Sequence, residues 1–100
     1  RYKKSEKLCK KALELVRIKK NKKLEANILW HLGTTERYMG NLDDLFLYIE
    51  KAEKIARSIN DTNILIKSLI TKGIAEHGLG NFKKALFYQL NSNFLQILYR

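Results

Sequence analysis

The sequence predicts an all-α chain of five antiparallel helices, stacked as helical hairpins in a solenoid. Three observations carry that reading. The first is self-similarity at an offset of 40 residues: Leu29 falls on Leu69, Gly33 on Gly73, Glu36 on Glu76, Gly40 on Gly80, Asn41 on Asn81 and Tyr48 on Tyr88. Two glycines, a Gly-Asn turn and an aromatic at one fixed spacing mark a repeated unit. The second is the scarcity of helix breakers, with no proline and five glycines in 100 residues. The third is apolar residues at i, i+3, i+4 and i+7, the period of a helix with one buried face.

Residues 2–20 form the first helix. Leu8, Cys9, Ala12, Leu15 and Val16 follow helical spacing, Leu13 and Ile18 flank them, and lysines fill the other face. Asn21 ends it and caps the second helix, 22–39, in which Leu24, Ile28, Leu29 and Leu32 point inward. Gly33 interrupts that stripe. An interior glycine costs up to about 1 kcal/mol relative to alanine, so a neighbouring helix crossing too close for a side chain is expected there. Gly40 supplies a left-handed turn residue and Asn41 a cap for the third helix, whose first turn holds Asp43 and Asp44, favourable against the helix dipole.

The third helix runs to about Ile59 and buries Leu42, Leu45, Phe46, Ile49, Ala52, Ile55 and Ala56. Asn60-Asp61 stops it and starts the fourth, 62–78, with Ile66, Leu69, Ile70 and Gly73 inward. Gly78 and Gly80 loosen its end, and Asn81 caps the fifth helix, 82–99. Lys83 and Lys84 replace the two aspartates there, the poorer choice at an N-terminus. Shifting the third helix back by 40 residues sets Ala52 on Ala12, Ile55 on Leu15 and Arg57 on Arg17. A single domain therefore divides into a half repeat, 1–20, and two whole repeats, 21–60 and 61–100. Since the chain opens on Arg1, it reads as a fragment or a processed segment.

The net charge is +10, but it is not spread evenly. Residues 1–23 hold 11 of the 20 Lys/Arg and two of the ten Asp/Glu, so the basicity belongs to the first helix. An apolar content of 45% argues against disorder. No apolar run reaches the roughly 20 residues that cross a bilayer, and no signal-peptide pattern opens the chain. Cys9 is alone, which excludes an internal disulfide and makes a cytoplasmic location the default.

These residues together resemble the tetratricopeptide repeats. Leu29, Leu32 and Gly33 match the first helix of that unit, and Gly40-Asn41-Leu42 with Ala52 match the second. The next unit matches at Leu69, Gly73, Gly80-Asn81-Phe82, Ala85 and Ser92. Glu36 and Glu76 stand where that family has an aromatic, Lys72 replaces a leucine, Leu45 replaces an alanine, and the closing proline is missing. The missing proline and the long period, with KAEKIARSIND at residues 51–61, resemble an extended subclass found in cell-polarity adaptors and bacterial peptide-sensing regulators. The resemblance implies a right-handed superhelix that holds a protein or peptide in a concave groove, with no cofactor.

Carried over by motif, the groove is lined by Asn27, Trp30, Thr34, Arg37 and Tyr38 from one repeat and Lys67, Ile70, Ile74 and His77 from the next. Large rigid side chains with a few hydrogen-bonding groups suit a peptide. Ordinary helix packing is the competing account of Trp30, Ile70 and Ile74. The slots of Trp30, Thr34, Ile70 and Ile74 lack the Lys, Asn and Arg of the carboxylate-clamp subclass, which sets a chaperone C-terminus aside. The last helix ends with Phe94, Leu95, Ile97 and Leu98, too apolar for the polar cap a solenoid end needs. Those four predict self-association or contact with further repeats. The Lys-rich first helix offers a rival reading, nucleic-acid contact through phosphates, but a solvated lysine face is the commoner outcome.

No catalytic constellation is present. His31 and His77 lack ligand-spaced Cys, Asp or Glu, so no metal site is predicted. Cys9 has Lys7, Lys10 and Lys11 nearby, which would lower a thiol pKa, although helix packing is its commoner role.

Overall fold

The computed structural model describes residues 1–99, and within them every regular element is a helix. In order these are α1 (Tyr2–Ile18), α2 (Lys22–Met39), α3 (Leu42–Ser58), α4 (Thr62–Gly78) and α5 (Phe82–Leu98). Links this short force each helix to run antiparallel to the one before it. The result is a row of adjacent hairpins, 36 × 30 × 17 Å. α2 also packs against α4, and no Cα atoms of α3 and α5 come within 8 Å of each other.

The four links share one backbone solution. Lys20 (φ 55°), Gly40 (φ 81°), Asn60 (φ 56°) and Gly80 (φ 82°) all take the left-handed conformation. In each, two amides return to the last carbonyls of the preceding helix, as in Gly40 N to Arg37 O (3.1 Å) and Asn41 N to Glu36 O (2.9 Å). Asn21 and Asp61 then cap the following helix, accepting from Leu24 N (3.1 Å) and Ile64 N (3.0 Å). Asn41 and Asn81 do not cap, contrary to the sequence reading. Their side-chain amides turn back, Asn41 Nδ2 donating to Glu36 Oε2 (2.8 Å) and Asn81 Nδ2 to Glu76 Oε1 (3.3 Å). A side chain committed to the helix behind it cannot also serve the one ahead.

The core is a chain of small clusters. Leu13 and Val16 of α1 meet Leu29 and Leu32 of α2 and Ala52 of α3. Beyond them Ala26, Ala56 and Ile64 join α2, α3 and α4, while Leu45, Ile49 and Ala75 join α3 to α4. Gly33 explains the close crossing of α2 and α3: a Cβ there would stand 2.5 Å from Ile49 Cδ1. Gly73 has no such constraint, because a Cβ would find Ala85 O and Tyr88 Cβ at 3.5 Å.

Several apolar residues expected inside are exposed. Leu8 and Leu15 face solvent, because α1 packs chiefly on α2 and only one side of its stripe is covered. Leu24 is exposed at the start of α2 and Ile70 is exposed on α4. In α5 only Ala85 and Ser92 are buried. Burial is thus dense from α2 through α4 and thins at α5.

Candidate functional site

One polar clasp holds α4 against α2. Trp30 Nε1 donates to Thr71 Oγ1 (3.1 Å), and the Thr71 hydroxyl donates to the Lys67 carbonyl (2.9 Å). The Lys67 ammonium lies 4.3 Å from the centre of the Trp30 ring, a cation–π contact. Beside the clasp the buried Lys72 donates to Glu53 Oε1 (2.6 Å) and sits 4.5 Å from the Tyr88 ring centre. Burial pushes the Glu53 carboxyl up, but hydrogen bonds from Lys72 and Arg57 outweigh it and hold the group below the ordinary carboxylate range. α4 is therefore seated in the α2–α3 groove by size, by hydrogen bonds and by charge.

Forty residues on, the same groove is open. Ile70, Gly73, Ile74 and His77 of α4 face Ala85, Gln89, Ser92, Asn93 and Gln96 of α5 across a cleft of about 390 Å³. Their counterparts in the first repeat are Trp30, Gly33, Thr34 and Arg37 with Leu45, Ile49, Ala52, Glu53 and Ala56. Leu45, Ile49 and Ala56 are covered by α4, and Glu53 is paired to it. Among the described residues no Lys, Arg, Asp or Glu lines the open cleft, in a chain of net charge +10.

The residues predicted to form one groove do not share one surface. Ile70, Ile74 and His77 meet in the open cleft. Trp30, Thr34 and Lys67 belong to the clasp, with Thr34 Oγ1 donating to the Trp30 carbonyl (3.0 Å). Arg37 lies over Tyr38, and Tyr38 stacks on Tyr2 of α1 with ring centres 5.6 Å apart. Asn27 is half-buried in α2 beside Ala26. The part of the cleft contributed by α5 is absent from the sequence reading. The 40-residue offset could have supplied it, because Ala85, Gln89 and Asn93 occupy the positions of Leu45, Ile49 and Glu53.

The second feature of α5 is its outer face. Leu90, Phe94, Ile97 and Leu98 are exposed, and Phe82, Leu86 and Phe87 extend the patch. Leu95, grouped with Phe94, Ile97 and Leu98 by sequence, instead turns toward α3 and α4, lining a cleft with Ala56, Leu65 and Tyr99.

The remaining candidates lie apart. His31 packs edge-on to Trp30, and partial burial, then the Lys67 charge, push its pKa down. Burial pushes the Cys9 thiol up, so its lysine neighbours do not activate it. Glu36 is buried, and its Oε1 meets no partner among the described residues. Burial pushes its carboxyl up, Glu6 and Asp44 adding to the effect and the Asn41 hydrogen bond opposing it.

Among the described residues no helix is long and apolar enough to cross a membrane. Comparisons with protein-family models, with curated proteins and with solved structures find no match for this chain.

Proposed function

We propose that this chain is a protein-interaction module of the tetratricopeptide type, which takes a partner polypeptide on the α4–α5 end. One observation carries the reading. α5 exposes a continuous apolar face beside an open, uncharged cleft. Contiguous apolar surface on a folded domain marks an interaction site. The repeated Gly-Asn turns and the contact of α2 with α4, the first helices of successive repeats, support the family assignment. Trp30, engaged in the clasp, is a stability residue in this reading, and Ile74 is the better probe of binding.

Self-association is the second reading, favoured by the exposure of Phe94, Ile97 and Leu98. Nucleic-acid contact through α1 ranks below both. Its lysines are exposed, but no aromatic interleaves them beyond Tyr2.

The test is capture from source-cell lysate, with and without nuclease, by wild type, Ile74→Glu and Lys10→Glu/Lys11→Glu side by side. The expected result is protein retained by wild type and by the lysine variant and lost with Ile74→Glu. Capture unchanged by Ile74→Glu defeats the proposal. Capture lost only on nuclease treatment or lysine reversal moves the function to α1.

A further inference from the structure

The first repeat contains a worked example of what fills a cleft of this kind. α4 lies in the α2–α3 groove parallel to α2, with Ile64 over Ala56, Thr71 on Trp30, Lys72 on Glu53 and Ala75 over Leu45 and Ile49. The α4–α5 cleft is continuous with that interface, since α4 forms one wall of it. Eight of the nine paired positions differ between the two seats, and four of the changes, all on the α5 wall, set the chemistry of the occupant. Leu45 becomes Ala85, which leaves room for a larger side chain than Ala75. Ile49 becomes Gln89 and Ala56 becomes Gln96, which add hydrogen-bonding groups. Glu53 becomes Asn93, which removes the carboxylate that pairs with the buried lysine.

From this template we infer that the α4–α5 cleft is the seat of one helix of a separate partner polypeptide, docked parallel to α4 and uncharged on its buried face. At the position corresponding to Ala75 the partner helix carries a leucine-sized residue, and at the position corresponding to Lys72 a neutral hydrogen-bonding residue. A lysine there would be desolvated with no carboxylate opposite, a large penalty. Three helices of a second copy are the wrong complement, which leaves its α5, uncharged from Ala85 to Leu98, as the rival occupant for the dimer measurement below to decide. α4 carries Lys72 and Ala75, α2 is covered by α1 through Leu29 and Leu32, and α1 is densely cationic. This inference rests on the interaction reading above and specifies its partner.

The probes are synthetic peptides of residues 62–78: the native peptide, one carrying Ala75→Leu, and one carrying both Lys72→Gln and Ala75→Leu. Binding of each to the full chain is followed by fluorescence anisotropy, with host variants Ile74→Glu and Asn93→Glu. Both host positions are exposed, and circular dichroism checks that the variants are folded. The Lys72→Gln/Ala75→Leu peptide is expected to bind at least tenfold tighter than the native peptide and to lose binding to the Ile74→Glu host. The Asn93→Glu host is expected to prefer the Ala75→Leu peptide, which keeps Lys72, over the doubly substituted one. Absence of binding by every peptide, or a preference for the doubly substituted peptide that survives Asn93→Glu, overturns the inference. So does a dimer by sedimentation that Ile74→Glu dissolves and the peptide displaces, since a second copy then holds the seat. If the peptides fail while lysate capture still depends on Ile74, the helical seat is wrong and the interaction reading stands. If capture ignores Ile74, the interaction reading itself falls.

Discussion

In α3 the outward positions are Glu50, Lys54, Arg57 and Ser58; forty residues on, in α5, they are Leu90, Phe94, Ile97 and Leu98. Both helices follow a left-handed glycine and both sit against the helix before them. α3 is buried on its inner side by α4 and presents charge to water, whereas α5 has a partly filled inner side and an apolar outer side. The period of the backbone is therefore kept between the two repeats while the environment each side chain specifies is not. What differs is which faces require a neighbour, and that requirement is read most clearly by comparing a position with its copy.

The buried ion pair offers the largest test of that comparison. Lys72→Leu gives the second repeat the residue that the first has at Leu32, and strands Glu53 with Arg57 alone. Removing one partner of a buried pair costs about 3–5 kcal/mol, and Arg57 together with partial exposure reduces this to about 2–3 kcal/mol in urea unfolding. Unchanged stability would mean that Lys72 does nothing for the seat. The Glu53 carboxyl, lowered in the fold, contributes stability above its ordinary pKa of about 4.3 that is lost as pH falls through its folded value. Lys72→Leu should flatten that acid limb.

The two interior glycines separate the repeats next. Gly33→Ala forces Ile49 aside in a fully buried site and should cost about 1–3 kcal/mol. Gly73→Ala meets ordinary contacts and should gain up to about 1 kcal/mol from helix propensity. Equal effects at the two sites would erase the difference in packing.

The glutamate locks come third. Glu36 has Asp44 in the position where Glu76 has Lys84, which lies 3.9 Å from its carboxylate. A carboxyl raised in the fold contributes stability that is full at low pH and lost as pH rises through its folded value. Glu36→Gln keeps an acceptor for Asn41 and should therefore stabilise the chain at pH 7 by about 1 kcal/mol, with the gain shrinking toward acid pH. The same change at Glu76, which removes an ion pair, should not stabilise. A stability loss in Glu36→Gln at pH 7 would show that the ionised form is favoured.

The smallest effect on folding belongs to the outer face of α5. Phe94→Lys with Ile97→Arg installs the α3 residues at their copies and should leave folding free energy within about 0.5 kcal/mol. Binding of an apolar fluorescent dye should fall in the same variant. Unchanged dye binding would place the accessible apolar surface elsewhere.

Much of the architecture was legible in the residues. The offset of Gly33, Gly40 and Asn41 against Gly73, Gly80 and Asn81 located the turns, and helical spacing located five helices to within two residues. The caps Asn21 and Asp61 were readable because a cap acts on its own chain within three residues. Ile70, Ile74 and His77, which line the open cleft on α4, were named through the resemblance to the repeat motif and not through spacing alone.

Tertiary structure decided the rest. Whether Trp30 lined a groove or clasped a helix depended on Thr71, 41 residues away. The fate of Asn41 and Asn81 depended on a carboxylate one turn back competing with the amides ahead. Leu8, Leu15 and Ile70 fit an apolar stripe, yet burial needs a second surface, and packing supplied none. Local sequence determines which face of a helix is apolar, because periodicity is a property of one segment. Only the assembled chain determines which apolar faces are covered, because covering is a relation between segments distant in sequence.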